Sequence, residues 1–320
     1  MSNLLDKSSI VLTPTAYNNG EILSVKPTDG TGDFDFTRNS SATRVNSQGL
    51  IEDMQILSGD LVSNGDFSQI SSELVTNGDF SNGASNWTLA GLTSVVNNSV
   101  SFVDNGTNTY SIITQSNIVT ANKQYKLTFD INRYVLGEIQ IILGSASSVT
   151  NQLSQGVGTY TMYLPSGSGT SLEIKRNGAV PNFDFDITNI SIKEVGQNWS
   201  VTGSDANNYV VFNGSTARLK FLNTSPVTQL ATSFVMTAGK KYKLTVDIAT
   251  VTSGGIKIDG NGISETFNTS GITTRIINPT GATSIKFYRA TANVDITLNS
   301  VSLIEITDDT NLPRIDYTGG

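Results

Sequence analysis

Gln124-Tyr125-Lys126-Leu127-Thr128-Phe129-Asp130-Ile131 alternates apolar and polar residues without a break, and Lys241-Tyr242-Lys243-Leu244-Thr245-Val246-Asp247-Ile248 repeats it further along the chain. Tyr125, Leu127, Phe129 and Ile131 share one face and Lys126, Thr128 and Asp130 the other, the pattern of a half-buried strand. Two further blocks recur in the same order. Asn86-Trp87-Thr88 returns as Asn198-Trp199-Ser200, and Asn189-Ile190-Ser191-Ile192-Lys193-Glu194-Val195 returns as Ser300-Val301-Ser302-Leu303-Ile304-Glu305-Ile306. Three ordered blocks at a nearly constant offset mark a duplicated domain. The unit is too long for a solenoid repeat and long enough for its own core.

Period-two runs continue around these blocks, at 99–103, 139–143, 159–164, 171–175 and 183–193, then at 209–212, 217–222, 255–258, 274–278, 284–288 and 294–305. Asn105-Gly106, Asn177-Gly178, Asn213-Gly214 and Ser253-Gly254 read as hairpin connections between them. No segment carries a helical period. Eight or so strands per unit predict an all-β chain of two tandem jelly-roll β-sandwiches. The expected divisions are 1–60 as an N-terminal segment, 61–196 as the first module, 197–306 as the second, and 307–320 as a linker or the start of a C-terminal segment.

A shorter repeat precedes the first Trp. Asp60-Leu61-Val62-Ser63-Asn64-Gly65-Asp66-Phe67-Ser68 is followed by Glu73-Leu74-Val75-Thr76-Asn77-Gly78-Asp79-Phe80-Ser81. The second copy leads directly into Trp87 and is the natural first strand of the first module. That leaves the first copy as a spacer, or as a strand for an exposed sheet edge, including one on a neighbouring chain.

Composition narrows the function. The 320 residues include no Cys and no His, which excludes disulfides and every Cys- or His-based triad or zinc site. Net charge is −7 and the pI about 4.6, so the surface repels phosphate backbones and nucleic acid is not an expected partner. The first residues hold one short apolar run, Ile10-Val11-Leu12, ended by Pro14, unlike a signal peptide. No stretch approaches the ~20 apolar residues of a membrane span. No cofactor is expected.

Leu74-Val75-Thr76-Asn77-Gly78-Asp79-Phe80, Trp87 and the closing Ile190-Ser191-Ile192 resemble carbohydrate-binding modules of the galactose-binding-like jelly-roll group, over about 74–195 and more weakly over 197–306. Modules of that group often hold a structural calcium near the closing strand. The matching positions here are Thr188-Asn189 and Asn299-Ser300, without the carboxylates a hard cation wants, so no metal is expected.

The flanks carry a second resemblance. Met1 to Tyr17, Phe36-Thr37-Arg38-Asn39-Ser40-Ser41-Ala42-Thr43-Arg44-Val45-Asn46-Ser47-Gln48-Gly49-Leu50-Ile51-Glu52 and Thr310-Asn311-Leu312-Pro313-Arg314-Ile315-Asp316-Tyr317-Thr318-Gly319-Gly320 look like fibre and tail-associated proteins of tailed bacteriophages of Bacteroidota hosts, including crAss-like ones. In simpler relatives the two flanks are nearly contiguous, which implies that 36–52 and 308–320 form one folding unit into which both modules are inserted. In those relatives the chain continues past the Gly-Gly, so this one is expected to be the base of a longer fibre. The resemblance implies a virion structural protein, a head or tail fibre assembled in the host cytoplasm. Its N-terminal anchoring segment would contact capsid or tail proteins, the usual state would be a homotrimer, and the modules would face host-surface glycans. Alternatives are a bacterial carbohydrate-binding accessory module and the non-enzymatic base of a tail-spike depolymerase.

Site candidates follow from exposed aromatics beside polar groups. Trp87 and Trp199, the only tryptophans, are either sugar-stacking platforms or core residues, and their equivalence in both units favours the core. Continuing the alternation puts Tyr134 on the outer face with Asn132 and beside Arg133, a surface suited to a sugar ring. Lys286, Tyr288 and Arg289 offer a similar cluster in the second module. Asp184 and Asp186 share the outer face of one strand. A glycosidase needs two carboxyls ~5–10 Å apart in a cleft, one with a raised pKa, so no catalytic residue is expected.

Overall fold

The computed structural model describes residues 16–18, 21–23, 34–35, 42–45 and 51–308, the last span without 105–109, 146–149, 155, 178–181, 205–206, 223–226 and 292. Most of the expected anchoring segment, the end of the C-terminal segment and the Asn105-Gly106 turn lie outside the described residues. Within the N-terminal part, β1 (Ala16–Asn18), β2 (Glu21–Leu23) and β3 (Phe34–Asp35) form a small sheet, and β4 (Ala42–Val45) pairs with β5 (Ile51–Met54) as a hairpin. A further strand, β6 (Ile56–Asp60), runs from there to the first Asn-Gly-Asp-Phe motif.

Alternation then does what period two dictates, and every described strand pairing is antiparallel. The first module holds β7 (Thr88–Ala90), β8 (Thr93–Val96), β9 (Ser99–Val103), β10 (Ile112–Gln115), β11 (Gln124–Leu136), β12 (Glu138–Leu143), β13 (Thr150–Ser154), β14 (Gly158–Pro165), β15 (Leu172–Arg176) and β16 (Asp184–Val195). They form two five-stranded sheets, β14-β11-β16-β9-β8 and β13-β12-β15-β10-β7. Tyr125, Leu127, Phe129 and Ile131 pack between them with Ile139, Ile141, Ile174, Phe185 and Ile192. The second module repeats the plan with β17 (Trp199–Thr202), β18 (Asn208–Phe212), β19 (Ala217–Phe221), β20 (Gln229–Thr232), β21 (Lys241–Ser253), β22 (Ile256–Gly260), β23 (Ile263–Phe267), β24 (Gly271–Ile277), β25 (Lys286–Arg289) and β26 (Val294–Asp308). Its sheets are β18-β19-β26-β21-β24 and β17-β20-β25-β22-β23, with β6 added to the end of β26. The described residues contain no helix, so the chain is all-β, a pair of jelly-roll sandwiches.

Tight turns explain several Asn residues. Asn97 and Asn98, both at positive φ, form the two-residue loop between β8 and β9, and Asn261-Gly262 does the same between β22 and β23. Asn213-Gly214 joins the β18–β19 hairpin as expected. Ser253-Gly254, read as a hairpin connection, instead carries the chain from one sheet of the second module to the other.

The two short motifs occupy equivalent places in different modules. Asn77 O accepts the indole N–H of Trp87 at 3.0 Å, Phe80 packs on that ring at 5.3 Å, and Gly78 O accepts Ile190 N–H. Asn64 O accepts the indole N–H of Trp199 at 2.9 Å, Phe67 packs on that ring at 5.1 Å, and Gly65 O accepts Val301 N–H. The acid ahead of each motif is used alike: Glu73 Oε1 accepts Ile192 N–H, and Asp60 Oδ1 accepts Leu303 N–H. Both glycines are required by proximity, since a Cβ would fall 2.0 Å from Ile190 O at Gly78 and 2.2 Å from Val301 O at Gly65.

Residues 60–68 are therefore neither spacer nor loose edge strand. Val62 and Phe67 belong to the core of the second module, although the sequence reading placed 61–68 in the first. The chain lays down the first piece of the second module, builds the whole first module, and returns. At the crossing Ile70 bridges Val195, so the strands entering and leaving the first module lie side by side. The outer pair does the same, with Ile56 opposite Asp308.

The modules also touch. Gln124 Nε2 donates to Val210 O, and Phe212 N–H returns a bond to Gln124 Oε1 at 3.0 Å. Tyr163 packs against the second core. Gly196 turns the chain there at φ +70°, where a Cβ would strike the Phe212 ring.

Candidate functional site

The two tryptophans are structural: each is buried, and each spends its one donor on the backbone of the motif that closes its module. Trp199 borders the cleft at the module joint but is only 4% exposed, and Trp87 is 7% exposed.

Tyr134 is turned the other way from its expected position. Along β11 and β16, Ile131 pairs with Ile187 but Arg133 pairs with Asp186, so Asn132 is an extra residue on β11. A bulge of one residue inverts the side chains that follow it, here up to a second shift between Tyr134 and Leu136. Tyr134 thus comes opposite Phe185, packs against the first core, and donates its hydroxyl to Gly137 O at 2.9 Å. Asn132 stays exposed and donates to Ser99 Oγ. Arg133 joins Asp184 and Asp186: it gives two hydrogen bonds to Asp186, at 2.7 and 2.8 Å, and an ionic contact to Asp184 at 2.6 Å. Partial burial works to raise the Asp186 pKa, but the bonds from Arg133 and Ser101 bring it below the ordinary carboxylate value. The three expected neighbours therefore part: Arg133 is latched to Asp184 and Asp186, Asn132 is bonded to Ser99, and Tyr134 turns to the core, so they do not share one face.

The second cluster splits as alternation requires. Lys286 and Tyr288 flank the buried Phe287 and share the outer face of the β17-β20-β25-β22-β23 sheet. Arg289 faces the other way, opposite the buried Ile256, with its Nη1 buried and without a hydrogen-bond partner. Lys257 lies directly across from Tyr288 and pairs with Asp259 at 2.6 Å, which holds the Asp259 carboxyl below its ordinary value. The outer face thus carries one aromatic ring between two lysines, with a carboxylate in reach.

The corresponding face of the first module has a counterpart that the sequence reading missed. Arg176 pairs with Ile139 as Arg289 pairs with Ile256, so Lys175 holds the place of Tyr288. Lys175 Nζ sits 5.5 Å from the centroid of Tyr110, which is 53% exposed. Alternation in β15 marks Lys175 as outward. Tyr110 precedes a strand in a stretch without periodicity, so no local signal marked it. A cleft of about 450 Å³ also opens at the module joint, between Lys123, Ser166, Thr202 and Phe212. Among the described residues no group of three or more acidic side chains is placed to hold a metal ion.

No protein family and no curated protein matches the chain. Solved structures similar to it include the N-terminal CBM22-1–CBM22-2 tandem domain of Paenibacillus barcinonensis Xyn10C, at 12% identity over 74% of this chain and 98% of that one, TM-score 0.33. Allantoicase from Saccharomyces cerevisiae is similar at 9% identity over 77% and 93%, TM-score 0.27. A fucolectin from striped bass (Morone saxatilis) serum is similar at 11% identity over 86% and 100%, TM-score 0.23.

Proposed function

We propose that this chain is a structural protein of a tailed-phage virion, a head or tail fibre that holds two sugar-binding modules toward host-surface glycans. The observation that carries the reading is the pairing of Ile56 with Asp308. It sets the chain just after the first flank beside the first residue of the second, as expected if 36–52 and 308–320 form one anchoring unit from which the modules project. That unit would contact capsid or tail proteins and set the trimer. Several weak modules on one particle would then bind by avidity. The glycan face we assign is the outer sheet surface with Tyr288, Lys257 and Lys286, and its counterpart with Tyr110 and Lys175. An exposed ring offers the apolar face of a pyranose a stacking surface, and the flanking ammonium groups donate to hydroxyls. Catalysis is not part of the reading: the bonds from Arg133 and Ser101 hold the Asp186 carboxyl below its ordinary value, the opposite of what a general acid needs.

The test is binding of the full chain to host cells and a glycan array, beside Tyr288→Ala and Tyr110→Ala. Saturable binding, weakened on the order of tenfold by at least one substitution, is expected. Absence of binding, or binding indifferent to both changes, would leave the modules as spacers and remove the adhesive role.

A further inference from the structure

The β24 strand is the outermost of its sheet, and two of its three outward residues are apolar. Ile272 is 73% and Ile276 50% exposed, with exposed Thr274 between them. An edge strand offers unpaired N–H and C=O groups to any strand that fits, and natural edges are normally blunted or covered. The equivalent edge of the first module is met within the chain at one end. Tyr163, paired with Lys126 as Ile276 is paired with Lys243, packs against the second module's core. A third module of the same kind is not the occupant of β24, because the polar half of that joint is missing. Gln124, which both donates to and accepts from β18, is replaced by Lys241, which cannot accept.

Instead the sequence Ile272-Thr273-Thr274-Arg275-Ile276 reads the same in both directions in its outward residues. We propose that a second copy of this chain pairs antiparallel with β24, on a two-fold axis through Thr274. Ile272 then lies against the partner's Ile276, and Thr273 against the partner's Arg275, so no charge meets a like charge. The two five-stranded sheets continue into one. A strand pair of this length is at the small end of interface size, so the association is weak. It is separate from any association through the N-terminal segment.

The chain has no cysteine, so one introduced thiol reports alone. In an antiparallel pair the two Cα atoms on the axis lie about 4.5–5.5 Å apart, within disulfide reach. Thr274→Cys in the full chain is expected to form a covalent dimer under mild oxidation at least about tenfold faster than Ser264→Cys, an exposed control on the other sheet. Adding Ile272→Lys and Ile276→Lys should return the rate to the control. All these positions are exposed, and an unchanged melting curve verifies the fold. Linking no faster than the control, linking indifferent to the lysines, or higher oligomers without Thr274→Cys cross-links would each overturn the proposal.

Discussion

Asp295 shows how one residue position is solved differently in the two copies. It is paired with Ser253 on β21 as Asp184 is paired with Leu136 on β11, so the two carboxylates are equivalent. Asp184 takes its arginine from β11, whereas Asp295 takes Arg218 from β19 in a two-bond clasp at 2.7 and 2.8 Å. The hydrogen bond from Arg218 is the main cause that holds the Asp295 carboxyl below the ordinary carboxylate value, against burial. A depressed folded-state pKa stabilises the protein above the unfolded value and is lost as pH falls through the folded one. The second module should therefore lose stability below about pH 4. Arg218 is 49% exposed, so the clasp is screened and contributes about 1 kcal/mol. Denaturant unfolding of Arg218→Gln should show that loss at neutral pH and a shallower decline in acid. Parallel curves for variant and parent from pH 7 to 3 would remove the clasp from the account.

At the scale of elements, the strands whose pattern is local were legible and those defined by a distant partner were not. Tyr125 to Ile131 and its copy announce their buried faces because alternation is a property of the strand itself. The bulge at Asn132 is a property of the pair, so the orientation of Tyr134 beyond it could not be read from one strand. The same holds for the motifs at 60–68 and 73–81, which are nearly identical and cannot say locally which module each fills. A bookkeeping signal was present nonetheless: one module lacked the motif and one motif lacked a tryptophan. The assignment is testable by paired truncations. Phe67 and Phe80 are both fully buried, and Phe→Ala at either should cost roughly 3–5 kcal/mol. Hydrogen exchange should then rise in β17–β26 for Phe67→Ala and in β7–β16 for Phe80→Ala. Faster exchange of the first module in Phe67→Ala would contradict the nesting, because Phe67 lies nearer to that module in sequence.

For the molecule as a whole, nesting sets what can be removed. The bridge between Ile70 and Val195 places the two ends of the first module within a strand spacing of each other. Deleting 71–195 therefore asks the chain to close a gap it already nearly closes, and leaves residues 58–68 attached to the module they complete. What is lost is the joint, namely the two hydrogen bonds of Gln124 and the cover that Tyr163 lays on the second core, together with Val195, itself a buried member of that core. The shortened chain should fold, with the second module melting roughly 5–10 °C lower. The division suggested by sequence, 197–306, should behave differently. It removes Phe67 and Val62 from the core, the acceptor of the Trp199 indole, and the Asp60 contact that fixes Leu303. Those losses amount to several kcal/mol, comparable with the whole stability of a domain this size. The 197–306 fragment should be largely unfolded by circular dichroism and near-ultraviolet tryptophan signal, and a synthetic peptide spanning 56–69 should restore both in a saturable way. A 197–306 fragment that melts at the temperature of the 71–195 deletion would mean that the early motif is an ornament on the second module and not a part of it.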